Sequence, residues 1–174
     1  MLAVAPSSRG LGFAVLESQE KLVDWGVKSI RGDKKTACLA KTVELIQTYQ
    51  PGIIVLDDAS APTSRRSPRI RQLISEIVAV AEREEIKVLL LSRERVKKIL
   101  FGHDQATKQA VAEMLAARFP HELGFRLPPK RRPWMSEDYR MDIFDAVALA
   151  IACGLKGTGN RIPPSDTALL PSNL

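Results

Sequence analysis

Apolar residues in the first part of the chain fall into three short runs, separated by polar turn segments. The runs cover residues 2–5, 11–16 and 22–28. The segments PSSRG and ESQEK between them are rich in residues that favour chain reversals. This pattern predicts an antiparallel meander of three strands.

The middle of the chain alternates between helical and strand-like patterns. Apolar residues recur at helical spacing over residues 36–49 and 69–85, and continuous apolar runs follow at residues 53–56 and 86–91. Such alternation favours parallel βαβ units. Three further helices are predicted over residues 93–100, 105–119 and 141–155. The sequence therefore predicts an α/β fold with a five-stranded mixed sheet flanked by helices.

Two segments lack a regular pattern. Residues 120–139 contain Pro120, Pro128, Pro129 and Pro133 and are predicted to form one long loop, because proline interrupts helices and strands. Residues 156–174 are rich in Gly, Pro, Ser and Thr and are predicted to form a flexible tail. The folded domain is expected to cover residues 1–155.

Charge and composition narrow the range of partners. The 174 residues carry 26 Lys and Arg against 20 Asp and Glu, a formal charge of +6 that favours an anionic partner. No apolar run reaches the roughly 20 residues of a membrane span. Two distant cysteines, Cys38 and Cys153, do not suggest a disulfide framework. We expect a cytoplasmic protein without membrane association.

Three aspartates are candidates for metal binding. Asp57 ends a predicted buried strand, and ligands of α/β sheets bind at the carboxyl ends of strands. Asp142 and Asp145 lie three residues apart on one face of a predicted helix whose following residues are almost all apolar. The alternatives are a loop start or helix cap at the acidic pair Asp57–Asp58 and helix-dipole compensation at the other two. The three carboxylates together predict a Mg²⁺ or Mn²⁺ site.

Basic residues are grouped in three places, which predicts contacts with nucleic-acid phosphates. Solvent-exposed faces without a ligand are the alternative. Trp134 and Tyr139 either stack on unpaired bases or anchor their loop to the core. The predicted contact residues are Arg65, Arg66, Arg69, Arg71, Lys97, Lys98, Lys130, Arg131 and Arg132.

Four motifs in order resemble one nuclease family. They are APSSRGLGFAV at residues 5–15, the strand acid Asp57, DQATKQAV at residues 104–111 with Lys108, and the DxxDA motif at residues 142–146. In this order and spacing they resemble the RuvC-type Holliday-junction resolvases, a branch of the RNase H-like nuclease superfamily. The resemblance extends over residues 2–154.

The resemblance implies an RNase H-like fold and a homodimer that cuts branched DNA by two-metal phosphodiester hydrolysis, with roles in DNA recombination and repair. Asp57, Asp142 and Asp145 would be the catalytic metal ligands, and Lys108 would lie at the site. The apolar faces of the helices predicted over residues 69–85 and 93–100 are expected to form the dimer interface.

Ala5 departs from the family pattern, which has an aspartate at this place on the first strand. A methyl group supplies no metal ligand, whether Ala5 is natural or engineered. One hypothesis is therefore an endonuclease fold that is inactive with Ala5, unless Glu137, Asp138 or Asp58 supplies the missing carboxylate. His103 is a candidate base or phosphate contact, with a surface loop residue as the alternative. The alternative is a RuvC-like nucleic-acid-binding protein without catalytic activity.

Overall fold

A five-stranded mixed sheet forms the centre of the computed structural model, which describes residues 1–30 and 32–158. The strand order is β3-β2-β1-β4-β5. The first three strands pair antiparallel, whereas β4 pairs parallel with β1 and with β5. The predicted fold class is thus confirmed. The strands are β1 Leu2–Pro6, β2 Gly10–Ser18, β3 Lys21–Ser29, β4 Ile53–Asp57 and β5 Lys87–Leu91.

Side-chain caps set the start of the longer helices. Asp33, Ser67, Ser92 and Thr107 each accept a hydrogen bond from a backbone N–H in the following first turn. The helix predicted from residue 105 therefore starts only at Lys108, directly after its cap. The helices are α1 Lys34–Tyr49, α2 Pro68–Arg83, α3 Arg93–Phe101, α4 Lys108–Arg118, α5 Pro120–Leu123 and α6 Met141–Thr158.

The prediction of one long loop over residues 120–139 is wrong at its start. Helix α5 and a 3-10 turn at Gly124–Arg126 occupy this part, because proline is well tolerated at the first position of a helix. Most of the predicted tail, residues 159–174, lies outside the described residues. No helix within the described ranges combines the length and apolarity needed to cross a membrane.

Two helical layers cover the sheet. Helix α6 packs across β1, β2 and β4 on one face, with α3 and α4 packed against it, and α1 and α2 cover the opposite face. Because strand side chains alternate, Ala3, Ala5 and Val55 point towards α6, whereas Val4 and Leu56 point towards α1 and α2. The apolar sequence of α6 is thus explained by its central position.

The apolar faces of α2 and α3 are used within the chain. Leu73, Ile77 and Ala81 of α2 are buried in one core, and Val96 and Leu100 of α3 are buried in the other. The prediction that these faces form a dimer interface is therefore wrong. The homodimer itself stays a prediction.

Gly12 permits a close approach between β2 and the start of α6. A Cβ atom at this position would lie 2.1 Å from the backbone oxygen of Asp142. The three nearest atoms are the backbone oxygen, the carbonyl carbon and Cβ of Asp142, and none of them can rotate away. The missing side chain therefore sets the distance between α6 and the sheet.

We predict that Gly12→Ala destabilises the protein by about 1–3 kcal/mol or more, since the added methyl group must displace α6. Urea unfolding monitored by circular dichroism measures this loss. Gly52→Ala is the matched control, because a Cβ there meets nothing within 4 Å. Equal unfolding midpoints for the two variants would contradict the prediction.

Candidate functional site

A groove of about 800 Å³ opens where β1 and β4 end and α3, α4 and α6 begin. Its lining contains as many acidic as basic side chains, six of each. All four predicted catalytic residues are among them. The acidic residues are Asp57, Asp58, Glu94, Glu137, Asp142 and Asp145, and the basic ones are Arg9, Arg65, Arg66, Arg93, Lys97 and Lys108.

Ala5 lies at the floor of this region. Val4 pairs with Leu56 across β1 and β4, so the next residues, Ala5 and Asp57, lie side by side on the α6 face of the sheet. Both line a smaller cavity of about 120 Å³ together with Asp145. The Ala5 side chain is only 2% exposed, and it leaves this point of the floor without a polar group.

Arg66 neutralises the buried Asp57. Its Nε atom lies 2.6 Å from Oδ2 of Asp57, and its Nη1 atom donates to the carbonyl of Pro6, at 3.2 Å. The guanidinium group of Arg93 is more distant, with Nε 3.9 Å from the same carboxylate oxygen. Arg66 was predicted as a nucleic-acid contact, and the structure makes it an internal partner that joins the ends of β1 and β4.

Lys108 lies between two carboxylates. Its Nζ atom is 2.8 Å from Oδ2 of Asp145 and 2.9 Å from Oε1 of Glu137. Asp138 turns away and forms a 2.7 Å ion pair with Arg140, whose hydrogen bond lowers the pKa of the Asp138 carboxyl group. Of these two acids before α6, only Glu137 lines the groove.

Two other candidate site residues, His103 and Asp58, contact neighbouring side chains instead of the acids at the floor of the groove. His103 is exposed and lies beside the Phe101 ring, outside the residues that line the groove. Asp58 accepts hydrogen bonds from the backbone N–H and hydroxyl of Ser60. Asp58 thus caps a turn at the groove wall, as one sequence alternative for this acidic pair suggested.

Asp142 is held by the turn between β1 and β2. The hydroxyl of Ser7 donates to Oδ2 of Asp142 at 2.7 Å, and the Ser7 Oγ atom accepts from the backbone N–H groups of Arg9 and Gly10. Burial raises the pKa of Asp142, and the nearby charge of Asp145 raises it further. The sequence analysis missed Ser7, although its place in the PSSRG turn is the signal that identifies it.

The donor set does not fit a two-metal centre. Such a centre needs carboxylates that hold two ions about 3.5 to 4 Å apart. Asp57 and Asp145 are paired with Arg66 and Lys108, and Ala5 offers no oxygen. Across residues 1–30 and 32–158, no three His, Cys, Asp or Glu side chains come together as a potential metal-binding group. The predicted Mg²⁺ or Mn²⁺ site thus has no support in this geometry.

Three of the nine predicted nucleic-acid contacts line the groove, namely Arg65, Arg66 and Lys97. Arg71 instead donates to the backbone carbonyls of Ser64 and Arg66, both at 3.1 Å. These contacts hold the segment that carries Arg65 and Arg66.

The remaining predicted contacts lie elsewhere on the described surface. Arg69 acts electrostatically on Asp33 and Cys38, on the α1 side of the sheet. The Nζ atom of Lys98 is 3.4 Å from Oδ2 of Asp104. A third set, on the segment before α6, consists of Lys130, Arg131 and Arg132.

The fold is that of the RuvC-type resolvases, an RNase H-like α/β architecture, which confirms the resemblance seen in the sequence. The chain is similar to RuvC from Thermus thermophilus, with a TM-score of 0.64, 19% identity, and coverage of 94% of this chain and 100% of that one.

Two further solved structures are similar. T. thermophilus RuvC in complex with a Holliday junction substrate gives a TM-score of 0.63 at 19% identity and covers 94% of this chain and 99% of that one. The yeast mitochondrial Holliday junction resolvase Ydc2 gives 0.56 at 13% identity, with 90% and 80% covered. No protein-family model and no curated protein matches the sequence.

We predict that Arg66→Met destabilises the protein by about 1–3 kcal/mol, because it leaves the buried Asp57 carboxylate without its nearest cation. An Arg66→Met/Asp57→Asn double variant should recover part of the loss, since its side chains carry no unpaired charge. Denaturant titrations of all variants at neutral pH measure both effects.

Arg65→Met is the control for this pair, because Arg65 is exposed and its loss should change stability by no more than about 0.5 kcal/mol. An Arg66→Met variant as stable as Arg65→Met would show that the ion pair has no structural role.

Proposed function

We propose that this chain binds branched DNA in the groove and, with Ala5 in place, does not hydrolyse it. This is the second of the two hypotheses from the sequence. The fold supports it, since a similar protein, T. thermophilus RuvC, has been solved with a Holliday junction substrate. The charge distribution within the groove supports it further.

The rim of the groove offers free positive charge. Arg9 and Arg65 are exposed, Lys97 is half-buried, and within the described residues none of the three lies within 4 Å of a carboxylate oxygen. Cations of this kind bind phosphates by releasing condensed counterions, which provides most of the nonspecific affinity for DNA. The rim therefore suits a phosphate backbone.

The main support for the proposal is the pairing of charges at the floor of the groove. Arg66 forms a salt bridge with Asp57, and Lys108 forms salt bridges with Glu137 and Asp145. The chain's own cations thus balance acids that would otherwise repel phosphates. A phosphate can therefore approach without a divalent ion between it and the carboxylates. DNA binding should thus be independent of metal, and hydrolysis by two ions lacks its ligands.

Homodimerisation, magnesium dependence and roles in recombination or repair stay predictions from the family resemblance. A four-way junction has arms related by a two-fold axis, so a dimer would offer one groove to each side.

We predict that the chain binds a four-way DNA junction more tightly than duplex DNA in the presence of EDTA. Arg65→Ala/Lys97→Ala should weaken junction binding and flatten its salt dependence by about one to two units of slope, because up to two phosphate contacts are lost. Gel-shift titrations at several salt concentrations measure both quantities.

Arg69→Ala is the matched control, since this arginine is exposed on the α1 side of the sheet. Equal affinity for junction and duplex would contradict branched-DNA binding. A slope that falls for Arg69→Ala, and not for the double variant, would place the binding surface on the other face.

We predict that the chain does not cut the junction in Mg²⁺ or Mn²⁺. Ala5→Asp alone should bind Mn²⁺ poorly, because Arg66 remains beside the new carboxylate, whereas Ala5→Asp/Arg66→Met should bind it measurably. Titration calorimetry with Mn²⁺ compares the unchanged chain, the single variant and the double variant.

Cleavage of the junction by the unchanged chain would overturn the proposal. Glu137 would then be the first residue to test as a replacement metal ligand. Equal Mn²⁺ heats for the unchanged chain and the double variant would show that Arg66 does not exclude the ion. Strong Mn²⁺ binding by Ala5→Asp alone would show that Ala5, without Arg66, accounts for weak Mn²⁺ binding by the unchanged chain.

A further inference from the structure

The segment from Pro128 to Glu137, here called the basic segment, is fixed at both ends beside the groove. The side-chain amide of Gln109 donates to the carbonyl of Pro128, at 3.5 Å. At the other end, Lys108 pairs with the Glu137 carboxylate, and the guanidinium group of Arg9 donates to the Glu137 carbonyl. The Glu137 end is therefore tied to residues that line the groove, and the Pro128 end is tied to α4.

The middle of the basic segment presents an indole ring to solvent. The backbone N–H of Met135 donates to the carbonyl of Arg132 at 3.0 Å, and Arg131 donates to the carbonyl of Met135. This turn leaves the Trp134 side chain 77% exposed, so the alternative that Trp134 anchors its loop to the core is wrong. The guanidinium carbon of Arg132 is 5.8 Å from the centre of the ring.

Three basic residues without a salt bridge to any described acid precede Trp134 in this segment. Lys130, Arg131 and Arg132 are exposed, and none of them forms a salt bridge with a described acidic residue. The prolines at 128, 129 and 133 restrict the backbone, which reduces the entropy lost when the segment binds a partner. The segment thus combines one exposed aromatic face with three cations that form no salt bridge to a described acid.

We propose that the basic segment binds unpaired nucleotides, with a base stacked on Trp134 and the flanking phosphates on Lys130, Arg131 and Arg132. Aromatic faces combined with basic side chains are the means by which proteins hold single strands without sequence preference. The inference rests on the proposed function in one respect, since a DNA branch is where unpaired bases would lie beside the groove.

A membrane surface is the other ligand that attracts tryptophan and basic residues. Membrane-surface binding typically uses an amphipathic helix with several apolar side chains. The basic segment is not helical, and its Glu137 end is held at the groove, whose lining includes the rim cations Arg9 and Lys97. A nucleic-acid strand can follow these cations from the groove to the indole.

Fluorescence anisotropy with labelled oligothymidine tests the proposal at two variants of one exposed position. Trp134→Leu keeps apolar volume and removes the aromatic face, and it should weaken binding about 5- to 140-fold, the range expected for the loss of one stacked base. Trp134→Phe retains a ring and should keep most of the affinity. Because Trp134 is exposed, neither variant should disturb folding.

A second measurement follows the fluorescence of the Trp134 indole. The chain has two tryptophans, so Trp25→Phe leaves Trp134 as the sole indole. Oligothymidine should quench its emission, and vesicles containing anionic lipid should leave it unchanged.

Equal oligothymidine affinity for the unchanged chain and Trp134→Leu would overturn the proposal. Equal weakening for oligothymidine and duplex DNA would also overturn it, since stacking requires unpaired bases. A blue shift with vesicles but no quenching by oligothymidine would assign the segment to membranes. The proposed function fails separately, if the four-way junction is not preferred over duplex DNA.

Discussion

The contact between α6 and β2 at Gly12 determines where the acids of the site can lie. Without a side chain on Gly12, the backbone of Asp142 reaches the sheet, and the first turn of α6 lies over the ends of β1 and β4. Asp142 and Asp145 are thereby brought to the same groove as Asp57. The groove is thus a consequence of helix packing, and its chemistry depends on which groups balance the assembled carboxylates.

Buried carboxylates require partners, and this chain supplies them from within. In a two-metal centre the ions would balance the acids, but here Arg66, Lys108 and the Ser7 hydroxyl contact them. Burying an unpaired charge costs far more than burying a paired one, so the internal cations stabilise acids that would otherwise need another partner. Ala5 offers no oxygen at this point of the floor, and Arg66 occupies the neighbouring carboxylate of Asp57.

Local patterns in the sequence were sufficient to predict the sheet, the buried α6 helix and the placement of Asp57, Asp142 and Asp145 along one groove. Periodicity reports which face of an element is buried, and the carboxyl ends of parallel strands meet at one edge. Periodicity does not report which side chains pair with each other. Arg66 and Arg69 are alike in sequence, yet one contacts Asp57 and the other lies near Asp33. The Ser7 and Asp142 contact spans 135 positions, beyond any local pattern.

Binding and hydrolysis place different demands on this fold. Phosphate binding by a rim of cations tolerates loose geometry, because counterion release depends mainly on the number of charges neutralised. Two-metal hydrolysis requires ligands placed to within a fraction of an ångström, and Ala5 offers no oxygen at the end of β1. The rim cations Arg9, Arg65 and Lys97 form no salt bridge with a described acidic residue, so their charge does not depend on the residue at position 5. The proposed affinity for DNA therefore depends on the rim, whereas hydrolysis would depend on the floor.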